Sequence, residues 1–533
     1  MRILQIVHGF SPEFVGGTEA HCEELSRRLL EQGHECMVLA GSNQSAKEAA
    51  LVTVDQEGLL VTRYMGTKGP ARDWTEAYDP EAESTIRQFL ALIRPDIVHV
   101  HHWLRLTTNL VMICADLGIP AVISLHDAWA SCPRIHRIRH DGTFCTDPSG
   151  VAPCIQCVPR GTWQNEEEVA SSLVLHREMM EQELTMAAAL IVPSQAHAAF
   201  IGPLLKIPRD RLTVIPNGPI SRATMHEGRN KCLNNQNRPL QIGHWGHLSY
   251  FKGTHMILEA VHQLRDPTAV EVHLIGSTDD VEYYRRLHEL TQEIRVHFHG
   301  FYRPAELRNF DLDLAIFASI ASESYSFTLD EALQCGIPVL VPNRGALPER
   351  IGEAGLTFQA GNVSDLACQL QLLLDSPDIL DSLRQNISQL KRASWEDCIP
   401  MLEAIYENII EFGPKERLKE PGAESMYLKQ LIHLQRQLHN REAILAEREQ
   451  EVQTERENRL KSEQENRLKS EQEREVLAMR LVEREQEVQT ERENRLKSER
   501  EVQDLSTELF AIKNSRTWRL VKALRRAWIF RGR

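Results

Sequence analysis

The sequence predicts an α/β fold made of two doubly wound domains, followed by a long charged helical segment. Short apolar runs alternate with amphipathic helical stretches from the N-terminus onward, which is typical of parallel strands joined by crossover helices. The alternation stops at a polar stretch, 229–238, and then starts again. Two such halves place the carboxyl edges of their sheets on either side of a cleft, where ligands bind in open α/β folds.

The first domain is predicted over residues 1–218. Its strands are short apolar runs bounded by polar or turn residues, at 3–7, 36–40, 96–100, 121–125, 189–192 and 212–215. The helix between the first two strands covers 18–32 and stops at Gly33, a residue type that commonly ends helices. The domain ends at a turn that contains Pro216 and Gly218.

The second domain is predicted over residues 219–393, where the same alternation resumes. Its strands fall at 240–244, 271–275, 295–298, 313–317 and 338–341. A closing helix is predicted at 394–412, because apolar residues keep a helical spacing there. Breaker residues, among them Pro414 and Pro421, then mark a linker at 413–425.

The composition changes completely after the linker, in a helical or coiled-coil segment predicted over 426–510. Glu, Gln, Arg and Lys dominate it, and the stretch 447–463 recurs without change at 483–499. This charge pattern supports a helix through pairs four residues apart. Apolar residues from Val452 to Val476 repeat every eight positions, however, and drift by about 80° per repeat on a helix. The pattern predicts a long solvated helix or a weak coiled coil, because no heptad seam forms.

Two glutamates, Glu323 and Glu331, stand eight positions apart between a predicted strand and the end of the next helix. This is the carboxyl edge of a parallel sheet, where the N-terminus of a helix offers free N–H groups to an anion. We expect a nucleotide diphosphate there, with one carboxylate accepting hydrogen bonds from sugar hydroxyls and the other from a ribose diol. Alternatively, Thr328 and Glu331 form a helix capping box and Glu323 is an ordinary loop acid.

A glycine pair, Gly16 and Gly17, precedes the first helix, where glycine lets the backbone approach a phosphate. Lys252 and Gly253 occupy the equivalent place in the second domain. Two such loops, one from each domain, can hold a diphosphate across the cleft. The alternatives are an ordinary turn for the glycines and a solvated surface lysine for Lys252.

Histidines gather at the carboxyl ends of two predicted strands. His126 follows one of them, at the same sheet edge as the glycine pair, where a histidine can hydrogen-bond a sugar hydroxyl or help a proton leave. A structural histidine is the alternative. His99, His101 and His102 end the other strand. We interpret these three as structural or acceptor-side residues, because no carboxylate or cysteine nearby in the sequence completes a set of metal ligands.

Eleven cysteines without a secretory signal fit reduced thiols or metal ligands better than a disulfide framework. Four of them, Cys132, Cys145, Cys154 and Cys157, end in a C-x-x-C motif with the reach of a zinc knuckle. The basic, loop-like segment 136–150 between them is the kind of insertion that a structural metal orders. A structural zinc and unligated thiols are the two alternatives.

Composition limits the classes of function. The chain has 533 residues, enough for two or three domains, and its net charge of −14 argues against general nucleic-acid binding. The first apolar run lacks a cleavage site, and no apolar stretch approaches the roughly 18 residues of a membrane span. We therefore expect a cytoplasmic protein. Basic residues are concentrated in 511–533, which contains no acidic residue.

Several motifs together resemble those of the retaining glycosyltransferases of family 4, which have the GT-B fold of two Rossmann-like domains. The resemblance covers roughly residues 1–410. The motifs that carry it are Gly16-Gly17, His126-Asp127, 214–218, 246–253, and Glu323 to Glu331 with the apolar run after it. The resemblance implies sugar transfer from a nucleotide diphosphate donor, with residues 1–218 on the acceptor side and residues 219–393 binding the donor.

The resemblance also implies roles for individual residues. Glu323 is expected to contact the donor sugar near the reacting centre, and His126 to face that sugar. Lys252 is expected to neutralise the diphosphate, and Glu331 to hold the ribose. Further donor contacts are expected from Gly16, Gly17, His247, Ser326, Phe327 and Thr328. Members of the family need no metal for catalysis, so no catalytic cofactor is expected.

Two positions depart from the family pattern. His247 stands where the family has an arginine, and a histidine is cationic only part of the time at neutral pH. Ser326 stands where the family often has glycine. These departures predict pH-sensitive activity or a donor that sits differently.

The basic tail predicts docking to a surface. Apolar residues from Leu520 to Trp528 share one helical face and basic residues share the opposite face, as in interfacial membrane anchors. Packing against a partner helix is the alternative, and the charged segment before the tail can also pair chains as a coiled-coil oligomer. The tail resembles those of bacterial surface-polysaccharide glycosyltransferases, which implies a peripheral membrane location and a glycan or lipid-linked acceptor.

Two other functions remain open for the whole chain at this point. A nucleotide-sugar epimerase on the same fold would release an altered sugar without needing an acceptor. A catalytically weak scaffold for a polysaccharide-assembly complex would use the charged segment and tail, with His247 as the cause of lost activity.

Overall fold

The computed structural model describes residues 1–67, 74, 78–148, 150–161, 164–220, 238–412, 445, 448–456 and 471–514. The chain forms two compact units. The first comprises Met1–Pro159 and His176–Leu418 and holds both sheets, and the second comprises Arg160–Leu175 and Lys419–Arg533. The linker predicted at 413–425 and the part of the basic tail from 515 to 533 lie outside the described residues, as does most of the segment 426–470.

Parallel strands form the sheet of the N-terminal domain, with one antiparallel addition. They are β1 Arg2–Val7, β2 Glu35–Gly41, β3 Ala50–Gln56, β4 Leu59–Met65, β5 Ile97–Val100, β6 Ala121–Ser124, β7 Ala189–Val192 and β8 Leu212–Val214. The strand order is β3-β4-β2-β1-β5-β6-β7-β8, and only β3 runs antiparallel to its neighbour. Ile3 and Ile6 point to opposite faces of β1 and both are buried, which shows why an apolar run is needed at the centre of such a sheet.

Two strands of this domain, β3 and β4, were not predicted from the sequence. Strands β3 and β4 form a hairpin whose turn residues, Glu57 and Gly58, have φ angles of 55° and 87°. A turn with two positive φ angles matches the twist of paired strands. The dipeptide Glu57-Gly58 between alternating apolar residues was the available signal, and the prediction missed it.

The helices of this part of the chain begin and end at recognisable signals. They are α1 Gly17–Glu31, α2 Pro80–Ile93, α3 Leu110–Asp116, α4 Val151–Cys154, α5 Glu166–Met186 and α6 Gln195–Leu205. Asp79 caps α2 by accepting hydrogen bonds from the backbone N–H groups of Glu81 and Ala82, next to a proline at the first helical position. Helix α1 begins at Gly17, the second residue of the predicted glycine pair, which places that pair at the carboxyl edge of β1.

The C-terminal domain has a second, entirely parallel sheet. Its strands are β9 Leu240–Trp245, β10 Val270–Ile275, β11 Arg295–Gly300, β12 Leu314–Ile316, β13 Val339–Pro342 and β14 Gly355–Phe358. They lie in the order β11-β10-β9-β12-β13-β14. The helices are α7 Thr254–His262, α8 Val281–Glu289, α9 Phe327–Gln334, α10 Ala346–Ile351, α11 Val363–Asp375 and α12 Asp378–Ile387. The predicted class of two doubly wound, Rossmann-like domains is confirmed.

The closing helix, α13 Trp395–Phe412, packs on the N-terminal domain rather than on the domain that precedes it. Trp395 and Leu402 share a buried cluster with Ile3 and Leu25. At the same place, the hydroxyl of Tyr406 lies 2.6 Å from Nδ1 of His99. The chain therefore crosses between the domains twice within the first unit.

The second unit contains the long helix α14 Glu471–Asn514 and a helical stretch at 448–456. Ion pairs join these two helices in antiparallel order: Arg448 with Glu491 at 2.5 Å, Arg492 with Glu449 at 2.5 Å, Arg484 with Glu451 at 2.7 Å, and Arg456 with Glu485. A coiled coil over 426–510 stays a prediction, because much of that segment lies outside the described residues. Within the described part of the chain, no helix is both long and apolar enough to cross a membrane.

Candidate active site

The loop between β12 and α9 extends across the cleft and is tied to the N-terminal domain. The hydroxyl of Ser324 donates to the carbonyl oxygen of His126 at 2.5 Å, and the Ser194 hydroxyl donates to the carbonyl of Ser324 at 2.8 Å. The hydroxyl of Tyr325 donates to the carbonyl of Asn217. The loop that carries Glu323 is thus held at the interface of the two domains.

Glu323 forms an ion pair with Lys252. Lys252 Nζ lies 2.8 Å from Glu323 Oε1, and the hydroxyl of Ser319 donates to the same oxygen at 2.5 Å. Burial alone would raise the pKa of Glu323, but the Lys252 ammonium and the two hydrogen bonds lower it overall. The carboxylate is therefore ionised at neutral pH. The alternative of two unrelated surface residues is wrong, because the two side chains contact each other at the edge of the cleft.

Glu331 lies inside α9 and points to the sheet. Its Oε2 accepts hydrogen bonds from Trp245 Nε1 and from the hydroxyl of Tyr302, both at 2.9 Å. Burial raises the pKa of Glu331 to about 7, although those two donors oppose the shift. The helix begins at Phe327 after Ser326, so Thr328 is not its N-cap residue. The capping-box alternative for Glu331 is therefore wrong.

The glycine loops of both domains lie against the start of α9. A Cβ atom on Gly17 would stand 3.2 Å from the ring of Phe327, and one on Gly246 would stand 3.2 Å from the methyl group of Thr328. Both distances are shorter than ordinary van der Waals contact, so a side chain at either position would press on the start of α9. The first residues of α9 are therefore surrounded by backbone from two loops, as an anion site at a helix N-terminus needs.

The turn that carries Lys252 also depends on glycine. Gly253 has a φ angle of 69°, and a Cβ atom there would lie far inside van der Waals contact with the carbonyl oxygen of Ala318. The turn can approach the end of β12 this closely only without a side chain. That approach brings Lys252 to Glu323.

Ser326 adopts a backbone conformation that favours glycine. Its φ angle is 78°, and Arg350 Nη1 donates to the carbonyl oxygens of Tyr325 and Ser326, both at 2.8 Å. Arg350 also pairs with Asp330 and lies 3.4 Å above the ring of Tyr325. The arginine holds the serine in a strained conformation immediately before α9. The departure from the family pattern at Ser326 therefore alters the residue and leaves the backbone geometry that a glycine would have.

His126 belongs to a buried group of histidines. Nε2 of His126 lies 2.9 Å from Nδ1 of His101, whose Nε2 lies 2.7 Å from the amide oxygen of Gln5. Because that oxygen only accepts, the hydrogen bonds run from His126 to His101 to Gln5. Burial lowers the pKa of His126 and His101 well below the ordinary value and that of His21 to about 3. The rings are neutral at physiological pH.

Ring nitrogens of His21, His101 and His126 lie within 4.8 Å of one another, as metal ligands would. His102, in turn, has Nε2 3.4 Å from a carboxylate oxygen of Asp127. This pair forms because the strand ends that carry His102 and Asp127 are neighbours in the sheet, and Asp127 is not part of the group of three ring nitrogens. Both ring nitrogens of His99 are bonded, to Tyr406 and Ser124, and both of His101 are bonded as described above, which agrees with a structural interpretation of these two residues.

The remaining predicted residues are placed as follows. Gly16 is the N-cap of α1 and lies beside the carboxylate of Glu19, which is 3.1 Å from Nε2 of His8. His247 is exposed on the loop after β9. Cys132, Cys145, Cys154 and Cys157 line one cavity in the N-terminal domain.

Four residues with a part in the site were missed. Trp245 and Tyr302 orient Glu331, Arg350 holds Ser326, and the ring of His136 stacks on that of Phe251, next to Lys252, with 3.9 Å between ring centres. Trp245 ends strand β9 at the carboxyl edge of the sheet, so its position was a usable signal. The other three reach the site through tertiary contacts that the sequence pattern does not reveal.

The chain is similar to known glycosyltransferases over both α/β domains. Residues 15–219 match the model described as Glycosyltransferase Family 4, and residues 239–376 match the model described as Glycosyl transferases group 1. A glycogen synthase of Mycobacterium tuberculosis is 24% identical over 402 residues, covering 71% of this chain and 87% of that protein. The O-antigen chain mannosyltransferase B of Escherichia coli is 34% identical over 77 residues, covering 14% of this chain and 20% of that protein.

Among solved structures, the sucrose-phosphate synthase of Thermosynechococcus elongatus superposes with a TM-score of 0.56. It is 17% identical, and the match covers 78% of this chain and 100% of that chain. At this identity the likeness concerns the fold, and it agrees with the pair of α/β domains described above.

Proposed function

Because this chain belongs to glycosyltransferase family 4, with the GT-B fold, we propose that it transfers a sugar from a nucleotide diphosphate sugar to a glycan or lipid-linked acceptor. The proposed reaction retains the configuration of the anomeric carbon and needs no metal. The observation that carries the proposal is the pair formed by Lys252 and Glu323 beside the N-terminus of α9, at 2.8 Å. A cation, a carboxylate and free helix N–H groups meet there at the edge of the cleft.

Lys252 and α9 suit the diphosphate. An ammonium and the unpaired N–H groups of a helix N-terminus both favour negative charge. When the bond between the anomeric carbon and the phosphate oxygen breaks, charge grows on the departing diphosphate. A preorganised cation stabilises that charge more than it stabilises the bound donor, so Lys252 contributes to turnover as well as to binding.

Glu323 and His126 suit the sugar. Glu323 is the partner of Lys252, and a bound diphosphate would give the ammonium a second anion. The carboxylate then accepts hydrogen bonds from sugar hydroxyls. His126 uses Nε2 toward His101, which leaves the lone pair of Nδ1 to accept a hydrogen bond from a hydroxyl. With retention, the acceptor oxygen enters on the face from which the diphosphate leaves, and its proton passes to a diphosphate oxygen.

Glu331 suits the ribose. Trp245 and Tyr302 both donate to one of its oxygens and so fix the orientation of the carboxyl group. The ionised form accepts two hydrogen bonds from a diol, whereas the protonated form must donate one of its own. Because burial raises the pKa of Glu331 to about 7, donor affinity is expected to fall as the pH drops below that value.

Two similarities support a polysaccharide product. The relatives named as a glycogen synthase and an O-antigen chain mannosyltransferase both act, by their names, on growing glycans. The basic residues of 511–533 would attract an anionic membrane surface, where lipid-linked glycans are assembled. A liposome flotation assay of the full chain against a chain ending at residue 410 tests the tail. Equal flotation of the two proteins would discard the membrane anchor.

Calorimetric titration with UDP, GDP and ADP tests the donor site. At least one nucleotide is expected to bind with saturation, and Lys252→Ala is expected to weaken it by about 10-fold to 100-fold, the usual value of a hydrogen bond to a charged group. Glu331→Ala is expected to weaken it by a similar factor.

Arg295→Ala is the matched control, because Arg295 pairs with Glu271 at 3.0 Å at the opposite end of a strand in the same sheet. It should leave nucleotide affinity unchanged. Absence of saturable binding by all three nucleotides would refute the proposal. So would donor turnover at the wild-type rate in both Lys252→Ala and Glu331→Ala.

A further inference from the structure

The segment that follows β6 in the N-terminal domain brings four cysteines to one small cavity. All four line it: Cys132, Cys145, Cys154 and Cys157. The cavity has a volume of ≈ 30 Å³, which exceeds the roughly 10–15 Å³ needed for one water-sized occupant. Cys132 is buried and the other three are half-buried. Four thiols surround a space for a single ion. Such a donor set binds zinc in preference to harder cations.

The backbone presents these cysteines from two turns and a short hairpin. The amide of Cys157 donates to the carbonyl of Cys154 at 2.9 Å, which closes the turn between the two residues of the C-x-x-C motif. Cys132 donates to the carbonyl of Ala128 at 2.9 Å, and Cys145 donates to the carbonyl of Arg137 at 2.8 Å. Turns of this kind supply ligand pairs in structural zinc sites, whose usual form is four sulfur or nitrogen ligands.

Arginines around the cavity match the charge of such a site. Arg134, Arg137 and Arg139 line it, and Arg137 is only 2% exposed. Nη2 of Arg137 lies 3.7 Å from the sulfur of Cys145, and Nε of Arg134 donates to the carbonyl of Cys157 at 2.7 Å. Zinc with four thiolates has a net charge of −2, and guanidinium groups next to the sulfurs compensate it.

We propose that Cys132, Cys145, Cys154 and Cys157 bind one structural zinc ion. In a zinc tetrathiolate the sulfurs stand roughly 3.8 Å apart, as Zn–S bonds of about 2.3 Å in tetrahedral geometry require. Among the described residues, no three of these sulfurs lie within 4.8 Å of one another, so zinc binding contracts the cavity. The ion would connect the three backbone segments that carry these cysteines, which have few regular hydrogen bonds with one another.

The zinc-bound segment would brace the turn that carries Lys252. His136 stacks on Phe251 with 3.9 Å between ring centres, and Gly142 lies so close to Tyr250 that a Cβ atom there would overlap the tyrosine hydroxyl. Ile138 is part of the buried core cluster of the C-terminal domain. These contacts come from the stretch between Cys132 and Cys145, so zinc would order the part of the N-terminal domain that faces the donor side.

Metal analysis of the full chain tests this proposal without any need for a donor. Protein purified without chelator is expected to contain about one zinc per chain, the stoichiometry of a four-cysteine site. The double variant Cys154→Ser with Cys157→Ser is expected to lose it. Cys368→Ser is the matched control, because Cys368 is exposed on α11 in the other domain, and it should keep the metal.

A second measurement covers the case in which the double variant fails to fold. Zinc-stripped wild-type protein is titrated with Co²⁺, which is expected to give the absorption bands of a tetrahedral thiolate complex and then to be displaced by zinc. Alkylation followed by mass spectrometry should find the four cysteines protected with zinc and reactive without it, and trypsin should cleave at Arg134 and Arg139 only after zinc removal.

Three results would overturn the assignment. One is wild-type protein with no more zinc than the double variant and with all four thiols reactive. Another is a disulfide between any two of these cysteines in freshly purified protein. The third is zinc retained by the double variant, which would place the metal at another group such as His21, His101 and His126.

Discussion

Replacing Glu331 by glutamine is expected to stabilise the C-terminal domain while weakening donor binding. Burial raises the pKa of Glu331 from its ordinary 4.5 to about 7, despite hydrogen bonds from Tyr302 and Trp245. In the unfolded chain the carboxyl group ionises at its ordinary value, so at pH 8 folding buries a charge. The difference between the two pKa values corresponds to about 3 kcal/mol of unfolding free energy.

The size of this effect depends on pH. Between pH 4.5 and about 7 the folded state binds more protons at Glu331 than the unfolded state does. Stability therefore falls as the pH rises through that range and stays lower above it. Glutamine has no charge, and its amide oxygen can accept both existing hydrogen bonds. Glu331→Gln is expected to exceed the wild type by about 2–3 kcal/mol at pH 8 and by less than about 1 kcal/mol at pH 5.

Urea unfolding at pH 5 and pH 8, followed by tryptophan fluorescence, measures the difference. Glu271→Gln is the matched control in the same sheet. Burial would raise the pKa of Glu271, but hydrogen bonds from Gln241 and Arg295 lower it overall, so removing that charge should reduce stability at pH 8. A Glu331→Gln protein that is less stable than the wild type at pH 8, or whose difference is the same at both pH values, would refute the reasoning. Calorimetry on the same proteins should find weaker nucleotide binding for Glu331→Gln alone.

Three further substitutions test the geometry of the site and of the domain contact. Gly253→Ala is expected to lower the melting temperature and nucleotide affinity together, since its Cβ would overlap the carbonyl of Ala318; a normal melting curve would contradict this. Ser326→Gly is expected to raise the free energy of unfolding by about 1 kcal/mol, because its φ angle is 78°, and a loss of stability in urea would oppose that view. Tyr406→Phe leaves Nδ1 of His99 without its partner at 2.6 Å and is expected to cost about 1–3 kcal/mol, so an unchanged urea midpoint would count against the contact.

The regular elements could be predicted because their signals are local. The run around Ile3 and the stretch after Gly17 have the spacing of a buried strand and an amphipathic helix, and the structure has β1 and α1 there within a residue or two. The hairpin of β3 and β4 was missed because it lies outside the parallel alternation that guided the prediction. Its turn at Glu57 and Gly58 carried the only local signal.

The sheet-edge positions of the candidate site residues followed from the sequence, but the residues that support them did not. Glu323, Lys252 and Gly17 are at the carboxyl edges of the sheets, which strand order alone implies. The orientation of Glu331 depends on Tyr302, which comes from a distant loop, and no periodic pattern encodes that contact. For the same reason the sequence did not reveal that α13 returns to the N-terminal domain, since an apolar helix face fits either domain equally well.

The duplicated stretch, 447–463 and 483–499, has charges that pair with those of its own copy when the two helices run in opposite directions. Arg448 of the first copy meets Glu491 of the second, while Glu449 meets Arg492, and the mirrored pair Arg456 with Glu485 repeats the second contact. The stretch has a basic residue before an acidic one near its start and the reverse order further along. Two antiparallel copies therefore place opposite charges side by side without any change of sequence in either copy. Duplication of this one stretch is therefore enough to give two helices whose charges match in antiparallel order.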